Sequence, residues 1–482
     1  MKFVLALAAA GALFASSLDT RLVDAEKKAD KSAVQELLAS HADVNAPQPD
    51  GATALHWAAY WDDVDTAKAL LAAGADPNAK NRYGVTPLSL ACTNGSAPMV
   101  DLLLNSKADV NLALPGGETP LMTAARTGKT DAVKLLLTHG ADVNAKDTEH
   151  LQTALMWAAA EGNVSTVEML HEFGADLHAV SKGGFTALLF ATRQGKMDVV
   201  STLLKEGASP NETIQKPGRQ AGTSALVLAV TNAHYELASM LLDAGADPNA
   251  AEQGWTALHA ITWVRHPGYA SNDPAPEGSG NMTSIEFVKK IAAKGANLNA
   301  KMTVRTSVGL SSLNTSGATP FLLAARTGDA ELMRLLAKLG ADPLMPNVDG
   351  TTPLMVAAGV GTRSPGEDAG TNEEVLEAVK VALELGNDVN AVDRHGETAV
   401  HGAAYKHVPE AAQYLIDHGA KVELYNKKND HGWTALRIAE GVHRGMNLRS
   451  SPETAAVIRK AMIAAGVPPT VDPEVNISGA TK

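Results

Sequence analysis

The side chains with the most chemical potential in this sequence are its histidines, two short acidic stretches and a single cysteine. Their spacing decides what they can do. His171 and Glu172 begin the metal-binding pattern H-E-x-x-H, but the position for the second imidazole is Ala175, and His178 lies beyond the helix-ending Gly174. A zinc site of that kind needs both rings on one helical face. Neither G-x-S-x-G nor G-x-x-x-x-G-K-[ST] occurs, so the nucleophile elbow and the phosphate-cradling loop are absent. Asn272, Asp273 and Glu277, and further on Glu367 and Asp368, are acidic enough for calcium, yet their spacing does not fit the calcium-binding loop. They read as solvated acidic loops. Cys92 has no partner for an intramolecular disulfide, and haem attachment or a zinc ribbon would need further cysteines. It stands where a small apolar residue is wanted and reads as a buried thiol. The sequence therefore supplies no catalytic, cofactor-binding or metal-binding residue.

Three histidines do share a context. His56, His259 and His401 each stand third after a threonine, in T-A-L-H, T-A-L-H and T-A-V-H. That context belongs to a unit that returns along the chain: T-A-L-H-W-A-A at Thr53, T-P-L-S-L-A-C at Thr86, T-P-L-M-T-A-A at Thr119, T-A-L-M-W-A-A at Thr153 and T-A-L-L-F-A-T at Thr186. The step is 33 or 34 residues, a period that points to a helical array. Each threonine can cap a first helix, and Pro87 and Pro120 fit the first helical position, where the missing N–H costs nothing. Alanine pairs such as Ala58-Ala59 and Ala124-Ala125 allow neighbouring helices to approach closely. Gly95, Gly128, Gly162 and Gly195 break the chain before a second helix with apolar residues at helical spacing, such as Val133, Leu136 and Leu137. G-A-D-V-N then closes the unit, with Gly140 as C-cap and Asn144 in a turn. One unit cannot bury enough surface to offset its ordering entropy, so stability must come from stacking.

This unit resembles the ankyrin repeat over nearly the whole chain. The resemblance implies an all-α solenoid of helix-turn-helix units with short β-hairpin-like turns, in which the T-x-L-H histidine bonds between neighbouring units. It also implies protein partners, bound on a concave side lined by turn tips and by the residues before the inter-helix glycine. Transferred by position, the candidate contacts are Tyr60, Trp61, Arg82, Tyr83, Arg126, Arg193, Trp263, Arg265, His266, Arg326, Tyr405 and Lys406. Trp61 and Trp263 stand out, because aromatic and Arg residues dominate binding hot spots.

Residues 1–17 have the pattern of a secretory signal, with Lys2 ahead of an apolar run and small residues at Ala15 and Ser17. No Cys follows to carry a lipid. The reading is an exported protein of bacterial type, periplasmic or extracellular and monomeric, with no membrane span. Residues 18–466 form one array of about twelve units including end caps, and 467–482 a loose tail. The net charge of −12 argues against nucleic acid as a partner. Insertions near 209–222, 263–284, 301–317 and 361–371 interrupt the register. Long loops on a rigid frame are where specific function is placed, so the expected activity is non-enzymatic protein binding through the concave face and these loops. The inter-helix insertions should leave on one edge and the turn insertions on the other, shaping a partner site in the second half. The alternatives are an inhibitor or protective partner of a secreted enzyme, and an enzyme that uses the loops.

Overall fold

The computed structural model describes residues 19–469 except 219, 268–275, 307–310, 367 and 445–446, with the flanking 443–444 and 447–449 described as backbone. The proposed signal segment, Asn272, Asp273, Glu367 and all but the first residues of the tail fall outside. The chain divides into two compact units, Met1–Ala187 and Leu188–Lys482.

In the first unit the first helices stack in series. Arg21–Lys27 packs on Ala54–Tyr60, which packs on Pro87–Asn94, then Pro120–Thr127, then Ala154–Glu161. The second helices run in parallel register, from Val64–Ala72 through Ala97–Asn105 and Thr130–Thr138 to Val164–Glu172. The alanine pairs at 58–59, 124–125 and 158–159 are fully buried at these contacts, as are Leu70, Leu103, Leu136 and Leu170 in the second row. Each such leucine contributes roughly 1.5–3 kcal/mol on burial. Cys92 is buried in this core, and burial pushes its thiol well above the usual range. The second unit repeats the plan from Ala225–Thr231 through Ala257–Arg265, Pro320–Arg326, Pro353–Ala358 and Ala399–Lys406 to Ala435–Glu440.

The helix ends follow the residues that begin and end them. Thr86 and Thr119 accept the backbone N–H of Ser89 and Met122 at 3.1 and 3.3 Å, and Gly95 and Gly128 adopt φ of 68° to leave the helix. At Thr53 the imidazole takes over part of the cap. His56 Nδ1 accepts the Thr53 N–H at 3.1 Å, which leaves Nε2 to donate to the Val85 carbonyl of the next repeat at 3.0 Å. His259 does the same for Thr256 and reaches the carbonyls of Ala300 and Ala318. Burial holds its ring down to about 4, so it is neutral, as this bonding pattern requires.

One difference from an all-helical array lies near the end. A short antiparallel hairpin, Val442–Arg444 with Asn447–Arg449, separates the helices of the last pair, with His443 opposite Leu448. It starts where Gly441 turns the chain out of Ala435–Glu440.

The G-A-D-x-N turn does more than reverse the chain. Asn144 Nδ2 donates to the Gly174 carbonyl of the following repeat at 3.0 Å, and its Oδ1 accepts the Asp176 N–H at 2.8 Å. Asn45, Asn78 and Asn111 make the same pair of bonds to their successors. Asn144→Ala should therefore destabilise the protein by about 1–2 kcal/mol, from two hydrogen bonds of about 0.5–1.5 kcal/mol each that water partly replaces. Urea unfolding would show this as a lower midpoint at unchanged slope.

Candidate functional site

Candidate contacts in the first unit are open to solvent. Tyr60 and Trp61 are each 50% exposed and Tyr83 is 58% exposed. They sit where Ala54–Tyr60 gives way to its second helix, and Trp57 one turn earlier anchors them. The Trp57 indole donates to Gln48 Oε1 at 3.1 Å, and Gln48 in turn donates to Asp24 at 2.7 Å. Trp57 then stacks on Trp61 at 6.4 Å and meets the Tyr60 edge at 5.6 Å, with Lys27 over its ring. Tyr60 and Trp61 meet edge to face at 4.8 Å. Where the next four repeats place glycine, this one has Asp62 at φ 58°, so a carboxylate borders the aromatic group. Asp tolerates this conformation better than most residues. On the adjoining turn Arg82 lies over the Tyr83 ring and donates to its hydroxyl at 2.6 Å. Arg126 is exposed and covers the half-buried Trp157 at 5.2 Å.

The second unit treats the corresponding positions differently. Arg326, Tyr405 and Lys406, read from the sequence as groove-lining contacts, are buried. Arg326 and Asp368 are each only 4% exposed and pair at 2.8 Å. Lys406 donates to the Ala369 carbonyl and lies 3.8 Å from Asp368. Burial pulls its ammonium down to about 8, with Asp368 opposing that. Thr362 adds a hydrogen bond to the same carboxylate at 3.0 Å. Asp368 is thus no solvated loop residue: the insertion folds inward and places one carboxylate between two cations. Gly402 marks its path, since a Cβ there would come within 2.7 Å of the Val360 backbone nitrogen. Tyr405 turns inward as well and donates to Glu397 at 2.8 Å.

The described residues of the insertion near 263–284 also fold back. Arg265 pairs with Asp329 at 2.6 Å and with Glu331 at 2.9 Å, and His266 lies near Asp329 and Glu374. Ser279 N donates to His234 Nδ1 at 3.0 Å, while Gly278 packs on the Ala233 carbonyl. Trp263 is half-buried against Trp255, and Arg193 is partly exposed over Phe190. The insertions do not sort onto separate edges. Ser311, from a turn insertion, bridges Thr362, from an inter-helix insertion, and Ser312 N donates to the Gly361 carbonyl at 2.9 Å.

The sequence reading missed a charged network on three successive turn tips. Arg394 meets Asp349 at 2.6 Å, and His395 reaches Asp349 at 3.5 Å and Asp430 at 2.8 Å. The hydrogen bond to Asp430 raises the His395 imidazole above its usual range, with Asp393 and Asp349 adding to it. The signal was present in the tips themselves: N-V-D-G, D-R-H-G and N-D-H-G are charged where the earlier N-R-Y-G and S-K-G-G carry no acid. Among the described residues no group of three or more His, Cys, Asp or Glu could hold a metal ion.

Comparison with known proteins agrees with the helix-pair plan. The family described as ankyrin repeats (3 copies) matches residues 22–113, 66–147, 111–181, 148–214 and 369–444, and the single ankyrin repeat matches 221–252 and 316–348. The chain is 35% identical over 114 residues to a putative E3 ubiquitin-protein ligase, XBAT35, of Arabidopsis thaliana, covering 23% of this chain and 21% of that protein. It is 32% identical over 157 residues to the neurogenic locus notch homolog protein 1 of Xenopus laevis, 32% of this chain and 6% of that protein. The chain thus spans only a small part of either relative. The human ASB11 ankyrin repeat domain aligns with a TM-score of 0.42 at 30% identity, over 47% of this chain and 98% of that one.

Replacing Asp368 by Ala leaves Arg326 and Lys406 buried without their shared counter-charge. Breaking a buried ion pair costs about 3–5 kcal/mol, so Asp368→Ala should unfold at markedly lower urea than wild type. A midpoint unchanged within error would show that the insertion is not held by this pair.

Proposed function

This chain belongs to the ankyrin-repeat family, and from that premise we propose that it is a protein-binding scaffold that acts non-enzymatically through the exposed aromatic face of its first unit. The observation that carries this reading is the Tyr60–Trp61 pair. Two large aromatic side chains stay half-exposed although a regular repeat needs neither of them, and Trp57, Gln48 and Asp24 hold them in place. Aromatics fixed in this way lose little further entropy on binding, which suits them as interface anchors. Arg82 with Tyr83, and Arg126, provide further exposed contacts of the types enriched in interfaces. In the second unit the insertions support the array and partly occupy its inner positions, so the loops shape a partner site less than the open face of the first unit does.

We also propose that the scaffold works outside the cytoplasm, as an exported monomer. This rests on residues 1–17, with Lys2 ahead of an apolar run and small residues before residue 18. Among the described residues no helix is long and apolar enough to cross a membrane.

Partner capture on immobilised full-length protein tests the binding face. Tyr60→Ala with Trp61→Ala should weaken a captured partner by about tenfold or more, since hot-spot aromatics contribute about 2 kcal/mol or more, with the helical circular dichroism unchanged. Undiminished capture by the double variant would refute the assignment. Cell fractionation tests export: the intact chain should appear in the exported fraction and a chain lacking residues 2–17 in the cytoplasm, whereas equal distribution would remove the signal reading.

A further inference from the structure

The charged tips of the second unit do not only bond to one another. With the joined loops beside them they line an open pocket of about 550 Å³, within the range of small-molecule sites. Here Ser312 N is tied to the Gly361 carbonyl, Ser311 bridges Thr362, and the Asn314 carbonyl accepts from Asn347 at 2.8 Å, which brings Leu313, Asn314 and Gly361 into the lining beside the tips. We propose that this pocket binds an organic cation, a guanidinium or a primary amine, through the carboxylates of Asp393 and Asp430.

Charge and position support that chemistry. Asp349, Asp393 and Glu397 are buried beneath the tips, and Asp430 is exposed at the rim. Against these four stand the rim guanidiniums of Arg305 and Arg394. Arg394 is already engaged, by Asp349 at 2.6 Å and the Val348 carbonyl at 3.2 Å, so it offers little to an anion. Asp349 is taken up by Arg394 and His395, and Glu397 accepts from Tyr405 and Asn429, but Asp393 and Asp430 retain capacity. Asp393 takes the His395 and Glu397 N–H groups on one oxygen and the Thr351 hydroxyl on the other, and Asp430 takes His395 on a single oxygen. An ionised carboxylate has about four acceptor positions. The turn role of Asp393 also has a neutral equivalent, because Asn347 and Asn429 accept the same pair of N–H groups in their own tips. A full negative charge at this position is therefore not needed to make the turn.

His395 makes the site depend on pH. Its ring lies between Asp349 and Asp430, with Asp393, Glu397, Arg394, Arg305 and His431 also around the pocket. Protonated, it competes for the carboxylates that a ligand cation would use. Neutral, it leaves them available, so affinity should rise from about pH 5.5 to about pH 8, across the range in which an imidazole titrates.

Calorimetry on the full chain tests this with three probes: acetyl-Gly-Arg-Gly-amide, the same peptide with citrulline in place of arginine, and spermidine. The arginine peptide, spermidine or both should bind at about pH 8, and the citrulline peptide should not; the tighter cation identifies the source as a polypeptide side chain or a free amine. Asp430→Asn, at an exposed position, should weaken binding about tenfold or more, and Asp62→Asn in the first unit should leave it unchanged. Lowering the pH to about 5.5 should weaken it as well. The proposal fails if neither cation binds at millimolar concentration, if citrulline binds as well as arginine, or if Asp430→Asn and Asp62→Asn behave alike.

Discussion

A repeat with two short helices cannot be stable alone, so everything in this protein depends on how one repeat is joined to the next. Apolar stacking supplies most of the energy but little directionality. The directional part comes from side chains that satisfy backbone groups one repeat away. The turn asparagines donate to a carbonyl and accept an N–H of the following repeat, and His56 and His259 bond a carbonyl further along the chain. Each fixes spacing and register at once, because an amide or imidazole missing its partner by an ångström loses the bond. After Gly340 the device is replaced without being abandoned. Leu344 stands at an asparagine position, and Asn387 of the next repeat donates back to the Pro343 carbonyl at 3.1 Å.

Repeats joined this firmly can carry irregular loops, and the two units use that capacity differently. The first keeps short connections and leaves Tyr60, Trp61 and Tyr83 at the surface. In the second, insertions lie across the helices and are held by buried charge, with Asp368 between Arg326 and Lys406 and Asp329 on Arg265. Buried pairs of this kind rarely add much net stability, because desolvation offsets their attraction. They do penalise any arrangement that separates them, which suits loops required to take one position. The pocket beside the charged tips depends on that fixed position.

Much of this was legible in the chain. The period, the capping threonines, the inter-helix glycines, the alanine pairs and the buried Cys92 follow from local rules that act within a repeat or between neighbours. The bonded role of His56 and His259 followed from the family pattern. Trp61 and Trp263 stood out as aromatics, and of these Trp61 is exposed beside Tyr60 whereas Trp263 is half-buried against Trp255. The same comparison misled at Arg326, Tyr405 and Lys406. An insertion of ordinary loop composition supplied the carboxylate that covers Arg326 and Lys406, and Tyr405 turns onto Glu397 and Asn429.

The sequence by itself determined the unit, its repetition and the faces of each helix, because these depend on contacts within about one period of the chain. Only the tertiary structure decided where the insertions go. Ser311 and Thr362, like Arg326 and Asp368, meet across more than a full repeat. No periodicity links such residues, so their pairing rests on shape and on the cost of leaving a buried charge alone. The open aromatic face of the first unit and the charged pocket of the second arise from that distinction.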